Sequence, residues 1–371
     1  MCCNGTCTRG FKRDVEEAVR VVKTQSRDRL ADHYFAPIAV VWTLLVRWWG
    51  YSLVCRLPAV AAILLATESS FATNVVAHHV CHGAFPKFHS RRWGESFVAR
   101  CFLWPDWLDS KAWRAEHNTQ HHTGLNEVGR DPDVVSVVFE NVRAGAGDMG
   151  VAVPMGGGVA SAVWFALLAA VWKWVYFATN IIGRSRVRDG SRTTFLFCVG
   201  DEDLSWHDLI FRAFGPGVLT KFICVPLAHE LIQPGCWKTA LCTMLAAEVL
   251  HNFQSFAVIV PNHSGADLPL FSTPCPPASA EAYRRAVVAS ANFVSYGPVS
   301  DALVFGYLNY QIEHHVDDTL TPLEMVRLAP LLRVVAAKHN VSYCCEPVWK
   351  RVARLYNLFT GAEVQVVAPP N

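Results

Sequence analysis

The sequence predicts an all-α membrane protein, with four transmembrane helices and a cytosolic helical cap that holds a histidine-rich site for two metals. Three observations carry this expectation. The 371 residues are 52% hydrophobic and only 17% charged, whereas soluble domains carry about a quarter charged residues. Mean hydropathy is positive, at +0.21. Most of the fifteen histidines are bunched beside long apolar runs. The same composition excludes other classes. A net charge of +2 without a long basic run gives no footing for nucleic acid. The thirteen cysteines are odd in number and include no CxxC pair. Cys55, Cys81, Cys224 and Cys242 lie inside apolar stretches, where cysteine behaves as a small hydrophobe, so neither a disulfide framework nor a zinc finger is expected.

Residues 1–34 read as an N-terminal cytosolic segment. Its opening Met1-Cys2-Cys3 fits either palmitoylation or a plain tail, and residues 11–30 mix basic with acidic groups, unlike a signal or transit peptide. The apolar region from Phe35 to Ala77 is broken by Arg47, Arg56 and Pro58. A helix needs about 20 residues to cross a bilayer, so this region holds two helices joined by a turn between Gly50 and Pro58. Trp42, Trp48, Trp49 and Tyr51 resemble an interfacial aromatic belt. A polar stretch with short helices follows, from His78 to Asp148. Three apolar candidates come next: Gly157 to Ile182, Gly217 to Ile232, and Trp237 to Val260. Two histidine clusters precede them and one follows, so a shared site requires an even number of crossings. Arg184, Arg186, Arg188 and Arg192 keep the loop after the first candidate in the cytosol. Gly157 to Ile182 is therefore expected to lie in the interface or be re-entrant, and the other two to form a hairpin through Gln233-Pro234-Gly235. Pro261 to Pro277 reads as a loop. Ala280 to Leu308 and Pro322 to Lys338 read as amphipathic helices on the cytosolic side. The membrane domain is placed at residues 35–355 and a C-terminal tail at 356–371.

The first cluster is His78-His79-Val80-Cys81-His82, in which His78 and His82 share a helix face. The second is His117-Asn118-Thr119-Gln120-His121-His122. Here His117 and His121 share a face, and on an α-helix His122 points about 100° away, toward a second metal. Asn118 is a further candidate for ordering an imidazole. The third is Gln311-Ile312-Glu313-His314-His315, where Gln311 stands one turn before His315 as ligand or orienting partner, and Glu313 and Asp317 are near enough to accept hydrogen bonds from imidazoles. Zinc is satisfied by about four ligands, and the clusters offer more, which fits two metals. Past the last apolar run, His251 and His263 stand twelve residues apart, about 18 Å on a helix. Both cannot serve metals that lie about 4 Å apart. His263, level with the clusters, is the expected ligand, and His251 with Glu248 is expected to form a satisfied pair inside the bundle. His89, His207, His229 and His339 are isolated and expected to serve packing or the surface.

On these three boxes the chain resembles the membrane fatty-acid desaturase family. The third box, with Gln in place of the first His, resembles the front-end desaturases and their acyl-lipid relatives. Asn126, Asp131-Pro132-Asp133, Lys338-His339 and Pro347-Val348-Trp349-Lys350 agree with the resemblance, which spans roughly residues 35–355. It implies a mushroom-like bundle of four transmembrane helices with a cytosolic cap, set in the endoplasmic reticulum with the site facing the cytosol. It also implies two iron ions, O2 as co-substrate, and removal of two hydrogens from the chain of a lipid or acyl-CoA. The implied iron ligands are His78, His82, His117, His121, His122, His314 and His315, with His263 added after the last crossing. Three departures stand out. His79 occupies a place where many members have Asp, leaving His78 and His79 both open in the first box. Val316-Asp317-Asp318 follows the third box where Leu-Phe-Pro is usual. No His-Pro-Gly-Gly haem motif is present, so electrons are expected from a separate cytochrome b5 or ferredoxin. A hydroxylase or ketolase on the same scaffold is the alternative. A metal transporter would need ligands strung along a path through the membrane, which the bunching at one boundary does not offer.

Overall fold

The computed structural model describes residues 4–27, 29–84, 113–114, 116–148, 150, 152–176, 210–211 and 215–368. His89, His207, Cys2, Cys3, the arginines at 184, 186, 188 and 192, and the end of the 157–182 apolar run lie outside the described residues. Helix α1 (Asn4–Arg27) leads into α2 (Leu30–Ser52) and α3 (Ala59–Cys81). A π-helical turn at His117–His121 precedes α4 (Val135–Asp148) and α5 (Val159–Val175). A further π turn, Val218–Cys224, runs into α6 (Val225–Ile232), and α7 (Trp237–Ile259) follows. The C-terminal part comprises α8 (Ala280–Val288), β1 (Ala291–Phe293), α9 (Gln311–Val316), α10 (Pro322–Lys338), β2 (Cys344–Glu346) and α11 (Val348–Thr360).

The apolar helices pair as the sequence pattern suggests. α2 and α3 form a hairpin around Leu53–Pro58, and Pro58 opens α3, where its missing N–H costs nothing. α6 and α7 form a second hairpin across Gln233–Cys236. α7 is the central element and packs on α3, α5 and α6. Among the described residues, two helices are long and apolar enough to cross a membrane, Ala59–Cys81 and Trp237–Asn262, and Val159–Trp174 is a shorter apolar helix. α2 is 23 residues long, but Asp32 and Arg47 interrupt it and it falls short of that composition. Large apolar side chains nevertheless face outward on every one of these helices, among them Ile38, Trp48, Leu64, Leu167, Leu231 and Phe253.

The cap is built on α1, α8, α9 and α10. Phe11, Val15, Ala18 and Val22 form a stripe along α1 and pack against Val287, Ile312, Met325 and Leu328. The mixed charges of residues 11–30 hid this stripe; some of them flank it and bind the cap, Lys23 to Asp317 at 2.6 Å and Asp14 to Lys338 at 2.5 Å. α10 begins with a capping box, Thr321 bonding the Glu324 N–H and Glu324 reaching back to Thr321, with Pro322 in the first turn.

The expected helix from Ala280 to Leu308 is a correction. It stops at Val288, and Ala291–Phe293 instead pair in parallel with Cys344–Glu346, Asn292 opposite Cys345. All three β1 residues are buried, so pairing to β2 satisfies backbone groups that water cannot reach. Gly297 at φ 111° keeps the preceding chain out of a helix, and Pro298 opens the short turn that becomes π-helical at Ser300–Val304. Gly306, at φ 56°, brings this loop against α3: a Cβ there would lie 2.4 Å from Val75 Cγ2.

Candidate metal centre

Four segments bring imidazoles to one place: the end of α3, the π turn at His117–His121, the bend after α7, and α9. His82 sits at the C-cap of α3 with helical φ and ψ, so it keeps the one-turn spacing from His78. The second box is not the α-helical turn that the spacing suggested. His122 N–H bonds the His117 carbonyl across five residues, and the wider turn places His122 over His117, their Nε2 atoms 3.2 Å apart. His122 therefore does not point away from His117. Pro261 ends α7 in a single 3-10 turn, Val260–Asn262, which delivers His263 to within 4.7 Å of the His121 ring and 4.9 Å of the His315 ring. α9 carries Gln311, His314 and His315 on one short helix.

The ring nitrogens converge. His78 Nε2 lies 3.2 Å from His314 Nε2, and His121 Nε2 lies 3.3 Å from His315 Nε2. The potential donor atoms of His78, His82, His117 and His314 all lie within 4.8 Å of one another, as do those of His121, His263 and His315. A third set, His117, His121 and His122, links the two. Metal–imidazole bonds of about 2.0–2.1 Å put neighbouring ligand nitrogens about 3.0 Å apart at right angles and about 3.4 Å apart at tetrahedral angles. The observed contacts fall in that interval. His82 Nε2 is buried with no hydrogen-bond partner, as expected of a lone pair reserved for a cation. Donor type, spacing and number all fit a pair of imidazole-bound metals.

The outer nitrogens are held as metal-bound imidazoles require. His121 Nδ1 bonds Asp131 Oδ1 at 2.9 Å and lies 3.4 Å from Asp133 Oδ2. Asn126, at φ 55°, donates its N–H to Asp131 Oδ2 at 2.6 Å, so the turn after the second box fixes the carboxylate. His315 Nδ1 meets Ser290 Oγ at 2.5 Å, and His82 Nδ1 meets Asp318 Oδ2 at 3.2 Å. Burial holds His82, His117, His122, His263, His314 and His315 well below the usual imidazole range. Burial thus favours their neutral form, the form in which an imidazole binds a metal. Burial also opposes charge on His121, but Asp131 and Asp133 outweigh it and raise that group to about 9.

The remaining sequence candidates separate clearly. His79 faces the Gly306 carbonyl at 3.4 Å, leaving His78 as the residue of that pair beside His314. Gln311 Nε2 is 3.2 Å from His315 Nε2, at the centre. Asn118 donates to the Cys81 carbonyl and ties the second box to the end of α3. Glu313 faces away, bound by Asn292 at 2.7 Å and Tyr343 at 2.8 Å, and burial raises it to about 7. Asp317 bonds Lys23 and Thr319, and its neighbour Asp318 takes the place beside an imidazole. Glu248 and His251 do not pair with each other as expected. Glu248 binds Lys173 at 2.5 Å and Lys221 at 2.8 Å, while His251 bonds Asn74 at 2.8 Å. His229 bonds the Tyr51 carbonyl, and His339 bonds Asp14. Sequence reasoning missed Ser290 and Asp318 as partners of imidazoles. Ser290 carries no sequence signal at all. A last acid–thiol group, Asp267, Cys344 and Glu346, is engaged by Arg351 and Arg354.

An apolar cavity opens on the imidazoles. His78, His117, His263 and Gln311 form its cap-side wall, and Val138, Trp172 and Leu308 are among the apolar residues lining the rest.

Residues 56–347, more than half of the chain, match the family model for fatty acid desaturases. The chain belongs to the fatty acid desaturase family. It is also similar to the NADPH-dependent stearoyl-CoA 9-desaturases of two strains of Mycobacterium tuberculosis, each 24% identical over 296 residues. That alignment covers 76% of this chain and 62% of each relative, so the chain spans less than two thirds of the curated relatives it matches. All eight candidate histidines of this desaturase-family chain fall inside the matched residues.

Proposed function

We propose that the protein is a membrane-bound, oxygen-dependent desaturase that introduces a double bond into a fatty acyl chain at a histidine-ligated di-iron centre. One observation carries the reading: eight imidazoles from three boxes and His263 converge at metal-ligand spacing over an apolar cavity. Family membership selects iron from the metals that imidazole suits. His78, His82, His117 and His314 would hold one ion, and His121, His263 and His315 the other, with His122 between the two sets and Gln311 beside His315. When bound, the iron pair supplies oxygen activation and the oxidising power to remove hydrogen from an unactivated methylene. The protein's own groups do the positioning. Asp131 holds the His121 proton at Nδ1 and so frees Nε2, and Asp318 and Ser290 orient His82 and His315 in the same way. The apolar cavity walls exclude water and hold the chain beneath the imidazoles.

Outward apolar side chains on α2, α3, α5, α6 and α7 support a membrane setting. In it, α2, α3, Gly217 to Ile232 and α7 make four crossings, α5 is re-entrant, its Lys173 reaching Glu248 near the middle of α7, and α1 with α8–α10 forms a cap on the cytosolic face of the endoplasmic reticulum. The relatives named as NADPH-dependent support a reductant delivered through a separate carrier such as cytochrome b5 or a ferredoxin. The test is expression in yeast with lipid profiling by mass spectrometry. A new double bond that disappears in His121→Ala supports the reading; a folded, iron-loaded protein yielding only hydroxylated chains overturns it.

A further inference from the structure

The cavity is not uniformly apolar. On α3, Asn74 stands four residues before His78, about 6 Å deeper along the helix. It lines the cavity, and one head atom of its amide bonds His251 Nε2 at 2.8 Å. The other head atom, Oδ1, is buried with no hydrogen-bond partner. Exchanging the amide oxygen and nitrogen leaves the same deficit, because only one of the two can face His251. On α7, Ser255 stands one turn after His251, is 6% exposed, and lines the same cavity. Its hydroxyl makes no hydrogen bond among the described residues.

The neighbouring charged groups, among them Lys173 on the wall of the same cavity, contrast with these two. Glu248, Lys221, Ser70 and Trp174 bond one another, and Lys173 binds Glu248. Polar groups left unmatched in an apolar cavity are costly and uncommon in native proteins. Where they line a ligand cavity, they are the few polar contacts that orient its occupant. A plain hydrocarbon chain offers neither donor nor acceptor to them. A hydroxyl offers both, and so matches an amide and a serine together.

We propose that Asn74 and Ser255 form a subsite for a hydroxyl group carried on the hydrocarbon chain, within a few carbon atoms of the bond that is oxidised. This rests on the reading of the cavity as the site where a chain is oxidised, and it specifies which chain. Unsubstituted acyl chains are the poorer ligands, and an ordered water takes the hydroxyl's place when they bind.

The test uses the purified full chain in lipid nanodiscs. Its probes are one long saturated acyl chain and the same chain bearing a single hydroxyl at successive positions. Displacement of a radiolabelled chain gives their affinities. At least one positional isomer binds about tenfold tighter than the unsubstituted chain, the effect of a good hydrogen bond to a buried group. Ser255→Ala and Asn74→Leu each bring that ratio back toward one; the serine change removes only an oxygen, so a folding defect in the asparagine variant leaves the result readable. Equal affinity for every isomer overturns the proposal, as does a preference that survives both substitutions. Product analysis separates it from the functional reading. A hydroxyl preference in an iron-loaded protein that forms no double bond sinks the desaturase reading alone. A double bond placed in the unsubstituted chain, with no preference for a hydroxyl, sinks the subsite alone.

Discussion

Two clusters of buried polar side chains lie along α7, and they are built on opposite principles. Near its middle, Lys173, Lys221 and Glu248 contain both signs of charge and bind one another. Beyond its end, fifteen residues on, His263 joins seven other imidazoles that carry no opposite charge between them and turn their nitrogens toward one another at 3.2–3.3 Å. In the first cluster one carboxylate is shared between both ammonium groups. The second keeps its acids, Asp131, Asp133 and Asp318, behind the rings and turns only ring nitrogens inward, so the space between the rings suits a cation. Burial alone therefore does not mark a functional site; the decisive feature is whether the buried groups satisfy each other.

The sharpest way to break this comparison is to exchange the roles of two histidines. His315→Ala removes a nitrogen that lies 3.3 Å from His121 and is expected to lower activity by at least about 100-fold, with bound iron falling measurably by plasma mass spectrometry. His251→Ala, on the same helix as the charge cluster, retains the wild-type iron-to-protein ratio. Equal iron loss in the two variants would erase the distinction between the clusters.

Glu248→Gln probes the other side. It leaves two buried lysines without their carboxylate, a loss of about 3–5 kcal/mol for breaking a buried ion pair. The expected result is a large fall in the unfolding midpoint in detergent, while the fraction that stays folded binds iron normally. A variant that is stable but iron-free would place Glu248 in the metal centre.

How far the sequence could go follows from the same contrast. The histidine boxes were legible as candidate ligand sets because residues that share a helix face recur at helical spacing, and spacing is local. The hairpins α2–α3 and α6–α7 were legible because apolar runs and their breaks at Arg56-Leu57-Pro58 and Gln233-Pro234-Gly235 are local too. What could not be read depends on contacts between distant segments. Ser290 meets His315 because β1 docks beside α9, and Lys221 meets Glu248 because a π turn rotates it inward. The π form of the second box had no signal either, since the same letters fit an ordinary α turn. α1 was missed for another reason: its apolar stripe of Phe11, Val15, Ala18 and Val22 lies among charged residues that dominate the composition.

The groups behind the imidazoles give a finer comparison, within the candidate metal centre itself. Asp131 is fully enclosed, receives an N–H from Asn126, and bonds His121 at 2.9 Å. Asp131→Asn is expected to weaken iron binding by about 10- to 100-fold, measured by chelator competition, because the amide cannot fix the His121 proton at Nδ1 as the carboxylate does.

Asp318 plays the corresponding part for His82 with poorer geometry. Its contact is longer, at 3.2 Å, and its side chain is 34% exposed. Water competes for such a carboxylate, which reduces what its hydrogen bond contributes. His82 is also braced from other directions, its ring lying 4.6 Å from those of both His122 and His314. Asp318→Asn is therefore expected to cost less than about tenfold in the same chelator competition, the smallest change in the series. A loss as large as that of Asp131→Asn would mean that hydrogen bonding to Nδ1 controls metal affinity regardless of exposure, and that the packing of neighbouring rings contributes little to holding His82 in place.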